Sequence, residues 1–353
     1  MKKNLFVLIL LCAMSVIQVN AGENPAVRRE YDFTSFNAIR TVSDGQTVSG
    51  RGRFVSTNYK ISLVKSDHYK VIMEVWDRDD IDLFEIRQTG SALELVKKMK
   101  KYPYRSSNVS IPSATVTIYT PEFPSVTLSG NSQMSVSGGG AFSGERLAVN
   151  MSGITKIEGL SGTWDKATIT MSGSTKIDNL TLTSGSCHIT CSGVAEIGGI
   201  SSINSDKVVL SMSGTSKISL ENFRSESINA TASGVSKFKT LEVNAGELCA
   251  TLSGTSSFNL SGAIRKVSAD MHGASSLSLK GTGNELAVSG SGTAVVNAEK
   301  FTVKDASLNL SGVSGASVTV TEKLETETSG NSHIDYYGRP KSVINKSSNV
   351  VSH

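Results

Sequence analysis

Lys156, Lys176, Lys217 and Lys237 each stand three residues after a glycine, with Glu196 at the equivalent place between them. On the outer face of stacked strands they would form a row of ammonium groups about 4.8 Å apart. Such a row is a candidate surface binding strip for an anionic glycan or lipopolysaccharide. It is also a solubility device, because like charges keep a flat sheet from pairing with another. Other clusters do less. Cys187-His188-Ile189-Thr190-Cys191 holds zinc-ligand types, but strand alternation puts His188 on the face opposite both thiols, so the three cannot converge on a metal. Asp77-Arg78-Asp79-Asp80-Ile81-Asp82 is dense in carboxylates. A helical-type calcium loop needs Gly where Asp82 stands and Glu where Gln88 stands, so the run reads as a solvated turn. Lys97-Lys98-Met99-Lys100-Lys101 reads as an exposed basic turn. Glu158 and Asp178 share a phase, but the following units place Gly198, Ser219 and Lys239 there. The carboxylate pair of a polysaccharide-cleaving enzyme therefore does not accumulate. No Ser/His/Asp set has a local signature. No catalytic, metal or cofactor-binding residue is assigned, and no cofactor is expected.

The spacing of those lysines belongs to a larger period. An apolar residue, Ser and Gly recur from Leu128-Ser129-Gly130 through Met151-Ser152-Gly153, Met171-Ser172-Gly173 and Cys191-Ser192-Gly193 to Val288-Ser289-Gly290, Leu310-Ser311-Gly312 and Thr328-Ser329-Gly330. The mean interval between glycines is 20 residues. Before each glycine apolar residues alternate, as in Ala167, Ile169, Met171 and Cys187, Ile189, Cys191; four residues after it comes another, as in Ile157, Ile177, Ile197, Ile218, Phe238, Phe258 and Leu277. Alternation marks strands with one buried face. A further apolar residue often follows: Leu160, Leu180, Ile200, Leu241. The glycine marks a corner needing positive φ or close backbone approach. The serines before it, Ser129 through Ser253, are expected to stack as a hydroxyl ladder between coils.

An outer-membrane barrel of hairpins would share this period, but it needs an apolar lipid-facing band and aromatic girdles. Aromatic residues are only 6% of the chain, and lysines occupy the strand after the corner. The expected fold is all-β: a right-handed parallel β-helix of about ten coils over 128–335, each burying its inward residues only against its neighbours. Residues 22–127 lack the period but read as strands around Tyr59–Val64, Tyr69–Trp76, Leu83–Val96 and Ala114–Tyr119, a β-rich N-terminal capping region. Residues 336–353 read as a C-terminal cap and tail. Residues 1–21 read as a signal peptide, with Lys2 and Lys3, an apolar run and small residues before Gly22; acylation of Cys12 would require a small residue where Leu11 stands. Of the remaining cysteines, Cys187, Cys191 and Cys249, the first two are four apart on one strand, too distant to bridge. A net charge of +4 across 353 residues leaves no wide basic field for nucleic acid.

Phe36-Asn37-Ala38-Ile39, the charged turn after Trp76, Val116-Thr117-Ile118-Tyr119-Thr120-Pro121 and the Ser-Gly repeats closing on Tyr337-Gly338-Arg339-Pro340 resemble the putative auto-transporter adhesin family with the head GIN domain. The likeness covers about residues 30–345. It implies an exported β-helical protein, periplasmic or at the cell surface, whose name suggests adhesion, and it carries no catalytic residues. The expected role is non-catalytic, adhesin-like binding of a surface glycan or cell-surface protein, without nucleic acid and without a membrane span once the signal is removed. The alternatives are a lyase or glycosidase on a β-helix, and a purely structural envelope component.

Overall fold

The computed structural model is a β-solenoid of about 11 turns, 73% strand and 2% helix. It describes residues 15–17, 27–43, 53–102, 111–138, 140–346 and 349–353. Most of the expected signal segment, including Cys12 and the cleavage region, lies outside these residues; Ser15–Ile17 pairs antiparallel with Arg28–Glu30. Two compact units divide at residues 159 and 160.

In the first unit, parallel stacking begins well before the Ser-Gly period. Ala38–Ser43 pairs parallel with both Ala92–Lys97 and Ser125–Leu128. Asn58–Lys65 lies parallel between Ser113–Thr120 and Asn131–Gly138, and the last pairs onward with Ile154–Glu158. Antiparallel strands are added to this stack: Val27–Asp32 on Lys70–Val75, Lys70–Val75 on Ser113–Thr120, and Phe84–Thr89 on Ala92–Lys97. The expected single strand over 83–96 is thus a hairpin, turned at Gly90 with φ +62°.

In this unit the acidic run is the exposed turn expected, apart from buried Asp80, whereas the basic run departs from expectation through burial. The acidic run is a 3-10 turn, Arg78–Leu83, capped by Asp77, whose carboxylate accepts from the Asp79 N–H at 3.0 Å. Asp80 within it is buried and ion-paired with Lys100. The basic run is no turn, because Lys97 ends a strand and is only 5% exposed. Its Nζ donates to Ser129 O at 2.8 Å, Asn131 O at 3.2 Å and Ser132 Oγ at 2.8 Å. Three acceptors for three N–H bonds make a charge tolerable without a carboxylate. Burial still pushes its pKa down to about 8.

In the second unit the strands stack parallel, with residues of equal phase in register. One inward column runs Ala167, Cys187, Val208, Ile228, Leu248, Val267, Leu286. Another runs Ile177, Ile197, Ile218, Phe238, Phe258, Leu277, Val296, all at most 1% exposed. Burying an aliphatic side chain contributes roughly 1.5–3 kcal/mol, which a single coil could not realise alone. Phe223, Phe238 and Phe258 pack edge to face at 5.7 and 5.2 Å. From residue 217 onward several coils continue through their second corner as one long strand, as in Lys217–Ala232.

The corner glycines of this unit have φ between +67° and +80°. A Cβ on Gly193 would lie 2.8 Å from Gly173 O, so the backbones touch where a side chain would stand. Three details of the expected pattern change. The corner near residue 290 belongs to Gly292, not Gly290, which sits in register with Met271 and Leu310 at the apolar position. The space its missing side chain leaves is taken by Leu310 Cδ2. Ile200 and Leu241 point outward, at 68% and 59% exposure, and Ser201 and Thr240 take the inward places. The 21-residue step from Gly193 to Gly214 carries one extra residue, which turns Ile200 out. Finally, the serines before the corner are half-exposed and bond mainly to carbonyls of the preceding coil, as Ser192 Oγ does to Met171 O at 3.3 Å. The buried hydroxyls stand two residues after the glycine instead: Thr175, Ser216, Ser236, Ser256, Ser275, Ser314 and Ser332.

Candidate functional site

The lysine strip is real as geometry but not as a row of bare charge. In the second unit Lys176, Glu196, Lys217 and Lys237 stand in one register column. Lys176 pairs with Asp178 at 3.2 Å and Lys217 with Glu196 at 3.0 Å. Lys237 is exposed and makes no ion pair among the described residues. In the first unit Lys156 is in register with Gln133 and pairs with Glu158 at 3.0 Å. Glu158 and Asp178, which looked like an isolated acidic pair, are the partners two residues along the same strand face.

The thiols follow expectation. Cys187 and Cys191 are buried, His188 is exposed on the opposite face, and burial pushes both thiols up to about 12. Cys191 Sγ lies 4.0 Å from Met171 Sδ. Cys249 is half-buried on the outer face, in register with Asn229 and Ser268. Among the described residues, no group of three His, Cys, Asp or Glu could hold a metal ion.

A feature that sequence reasoning passed over lies at a corner of the second unit. Asn204, Asp206, Arg224, Glu226, Asn244 and Arg265 surround a hollow of about 400 Å³. Its floor follows from local folding. Ser205 and Ser225 turn inward and are buried, Ser205 Oγ donating to Lys207 O at 3.1 Å and Ser225 Oγ to Ser227 O at 2.9 Å. These bonds bend the chain, and alternation then throws the residues on either side outward. Asn204, Arg224 and Asn244 form one column. Asp206, Glu226, Gly246 and Arg265 immediately precede the paired residues Lys207, Ser227, Glu247 and Lys266 on four successive coils. Gly246 is the gap in that second column. A Cβ there would lie 2.5 Å from Glu226 O, 3.0 Å from Glu226 Oε2 and 3.3 Å from Arg265 Nη2. The carboxylate of one coil and the guanidinium of the next but one thus reach over a missing side chain. The signal that could have found this was the phase shared by 206, 226, 246 and 265, hidden because it lies away from the Ser-Gly corner.

A family model described as Putative auto-transporter adhesin, head GIN domain matches residues 54–198 and 240–340, well over half of the chain and most of the strands described above. The chain belongs to this family. Solved structures similar to this GIN-domain chain include a putative adhesin from Parabacteroides distasonis ATCC 8503, at 15% identity over 94% of this chain and 98% of that one, TM-score 0.32. A putative adhesin from Parabacteroides merdae ATCC 43184 is 12% identical over 93% and 96%, TM-score 0.29. A putative lipid binding protein from Parabacteroides distasonis ATCC 8503 is 13% identical over 95% and 99%, TM-score 0.29. Likeness at that level settles neither fold nor role. No curated protein matches the chain. No helix among the described residues is long and apolar enough to cross a membrane.

Proposed function

We propose that the protein is an exported, adhesin-like binding protein that holds a cell-surface saccharide against the outside of its coils and does no chemistry on it. Membership of the adhesin family supports the role. The observation that carries saccharide binding is the corner hollow: six exposed polar side chains gathered around one depression, as recognition of a hydroxyl-rich ligand requires. The lysine strip is the weaker candidate surface. With Lys176 and Lys217 ion-paired it is largely neutralised, and it serves better to keep the sheet from pairing with other sheets. The hollow does not favour a glycosidase. Asp206 and Glu226 stand side by side on consecutive coils, whereas hydrolysis needs carboxyls on opposite sides of the glycosidic bond.

The test is a glycan array probed with the mature protein, run beside protease shaving of intact cells. Saturable binding to one glycan class without release of reducing ends is the expected result, and the Lys176→Glu/Lys217→Glu double variant should bind as wild type does. An array with no glycan bound, or steady turnover of a bound one, would overturn the reading.

A further inference from the structure

We infer that the hollow over Gly246 seats an uncharged saccharide unit, not the acidic glycan that the lysines suggest; the inference rests on the saccharide-binding reading above and assigns its site and ligand class. Two carboxylates, Asp206 and Glu226, and two guanidiniums, Arg224 and Arg265, line the hollow with the amides of Asn204 and Asn244. The formal charges cancel. An anion placed there would meet the two carboxylates, and a cation the two guanidiniums, so either is disfavoured by the residues that attract the other. A sugar hydroxyl donates one hydrogen bond and accepts others. Vicinal hydroxyls are therefore matched by carboxylates that only accept, guanidiniums that only donate and amides that do both.

Availability supports the same reading. Among the described residues none of these six side chains makes an ion pair or a side-chain hydrogen bond, although opposite charges stand on neighbouring coils. Elsewhere on this unit such neighbours do pair, as Lys217 does with Glu196 and Lys266 with Glu247. Gly246 leaves the space between Glu226 and Arg265 open, and the carboxylate and guanidinium flank that gap without closing it as an ion pair. Its volume, about 400 Å³, lies within the roughly 300–1,000 Å³ of ligand clefts and suits one or two sugar rings. No aromatic ring lines it, so hydrogen bonds carry the affinity and single-unit binding is weak.

The experiment is an array of neutral and acidic glycans, followed by calorimetry with the best neutral oligosaccharide on wild type, Asp206→Ala, Arg265→Ala and the Lys176→Glu/Lys217→Glu variant. Asp206 and Arg265 are exposed, so both variants should fold, and circular dichroism melts confirm it. Neutral glycans should bind, with affinity falling at least about tenfold in each hollow variant and unchanged in the lysine variant. Neutral binding undiminished in both hollow variants overturns the inference and leaves saccharide binding standing. Binding confined to acidic glycans and lost in the lysine variant does the same. No glycan bound at all overturns both.

Discussion

Lys97 shows how one residue can be misread when its neighbours in space are unknown. Four lysines in five positions look like a solvated turn, yet the first of them fills the place beside Gly130 that a coil would otherwise occupy, its Nζ 3.0 Å from where a Cβ on that glycine would stand. Its pKa, pushed by burial to about 8 from an ordinary 10.5, has a definite sign in stability. Between those values the unfolded chain holds the proton more tightly than the folded one, so this group's contribution rises with pH. Below about 8 both states are protonated and the full cost of the buried charge is present. Lys97→Met leaves Ser129 O and Asn131 O without this donor and should cost about 1–3 kcal/mol in urea unfolding near neutral pH. The gap between wild type and variant should widen as pH is raised from about 8 towards 10.5. A gap that narrows over that range would show that the folded protein favours the ammonium.

At the scale of the coil, the inward columns were legible because the period of two and the period of 20 coincide: Ile177, Ile197 and Ile218 could be aligned by counting from a glycine. What could not be counted was a residue gained or lost inside a coil. Val288-Ser289-Gly290 has the right residues, but the backbone puts Gly292 at the corner and leaves Gly290 in the core, where Leu310 Cδ2 lies 2.7 Å from the site of its absent Cβ. The hollow escaped notice on similar grounds, since it depends on a side chain that Gly246 lacks. Gly290→Ala should therefore overpack, at a cost of about 1–3 kcal/mol, and Leu310→Val should relieve it. In a double-mutant cycle by urea unfolding the two should fall short of additivity by about 0.5 kcal/mol or more. Strict additivity would mean that Leu310 does not occupy that space.

For the molecule as a whole, stability in stacked coils is a sum of neighbour terms, so coils are in principle removable units. Deleting residues 174–193, one corner-to-corner coil of the second unit, joins Gly173 to Val194 and preserves every inward phase. A β-rich spectrum, a cooperative melt and unchanged oligosaccharide binding are expected. Deleting residues 184–193 alone removes half a coil, leaves the strands on either side unable to close a turn, and should abolish the cooperative melt. If the full-coil deletion also failed to fold, the coils would not be interchangeable. Composition alone excluded little here beyond nucleic acid. The fold was readable from repetition, while the make-up of the outer surface was not, because the core leaves outward positions unconstrained.

The closed-off thiols have a bearing on oxidative folding. A thiol must ionise and be reached before it can exchange. In the folded chain Cys187 and Cys191 are almost wholly buried with their thiols held protonated, and of the described cysteines Cys249 alone is more than marginally exposed. Were such a chain exported to an oxidising compartment, burial would withhold Cys187 and Cys191 from exchange and leave Cys249 as the described cysteine open to oxidation.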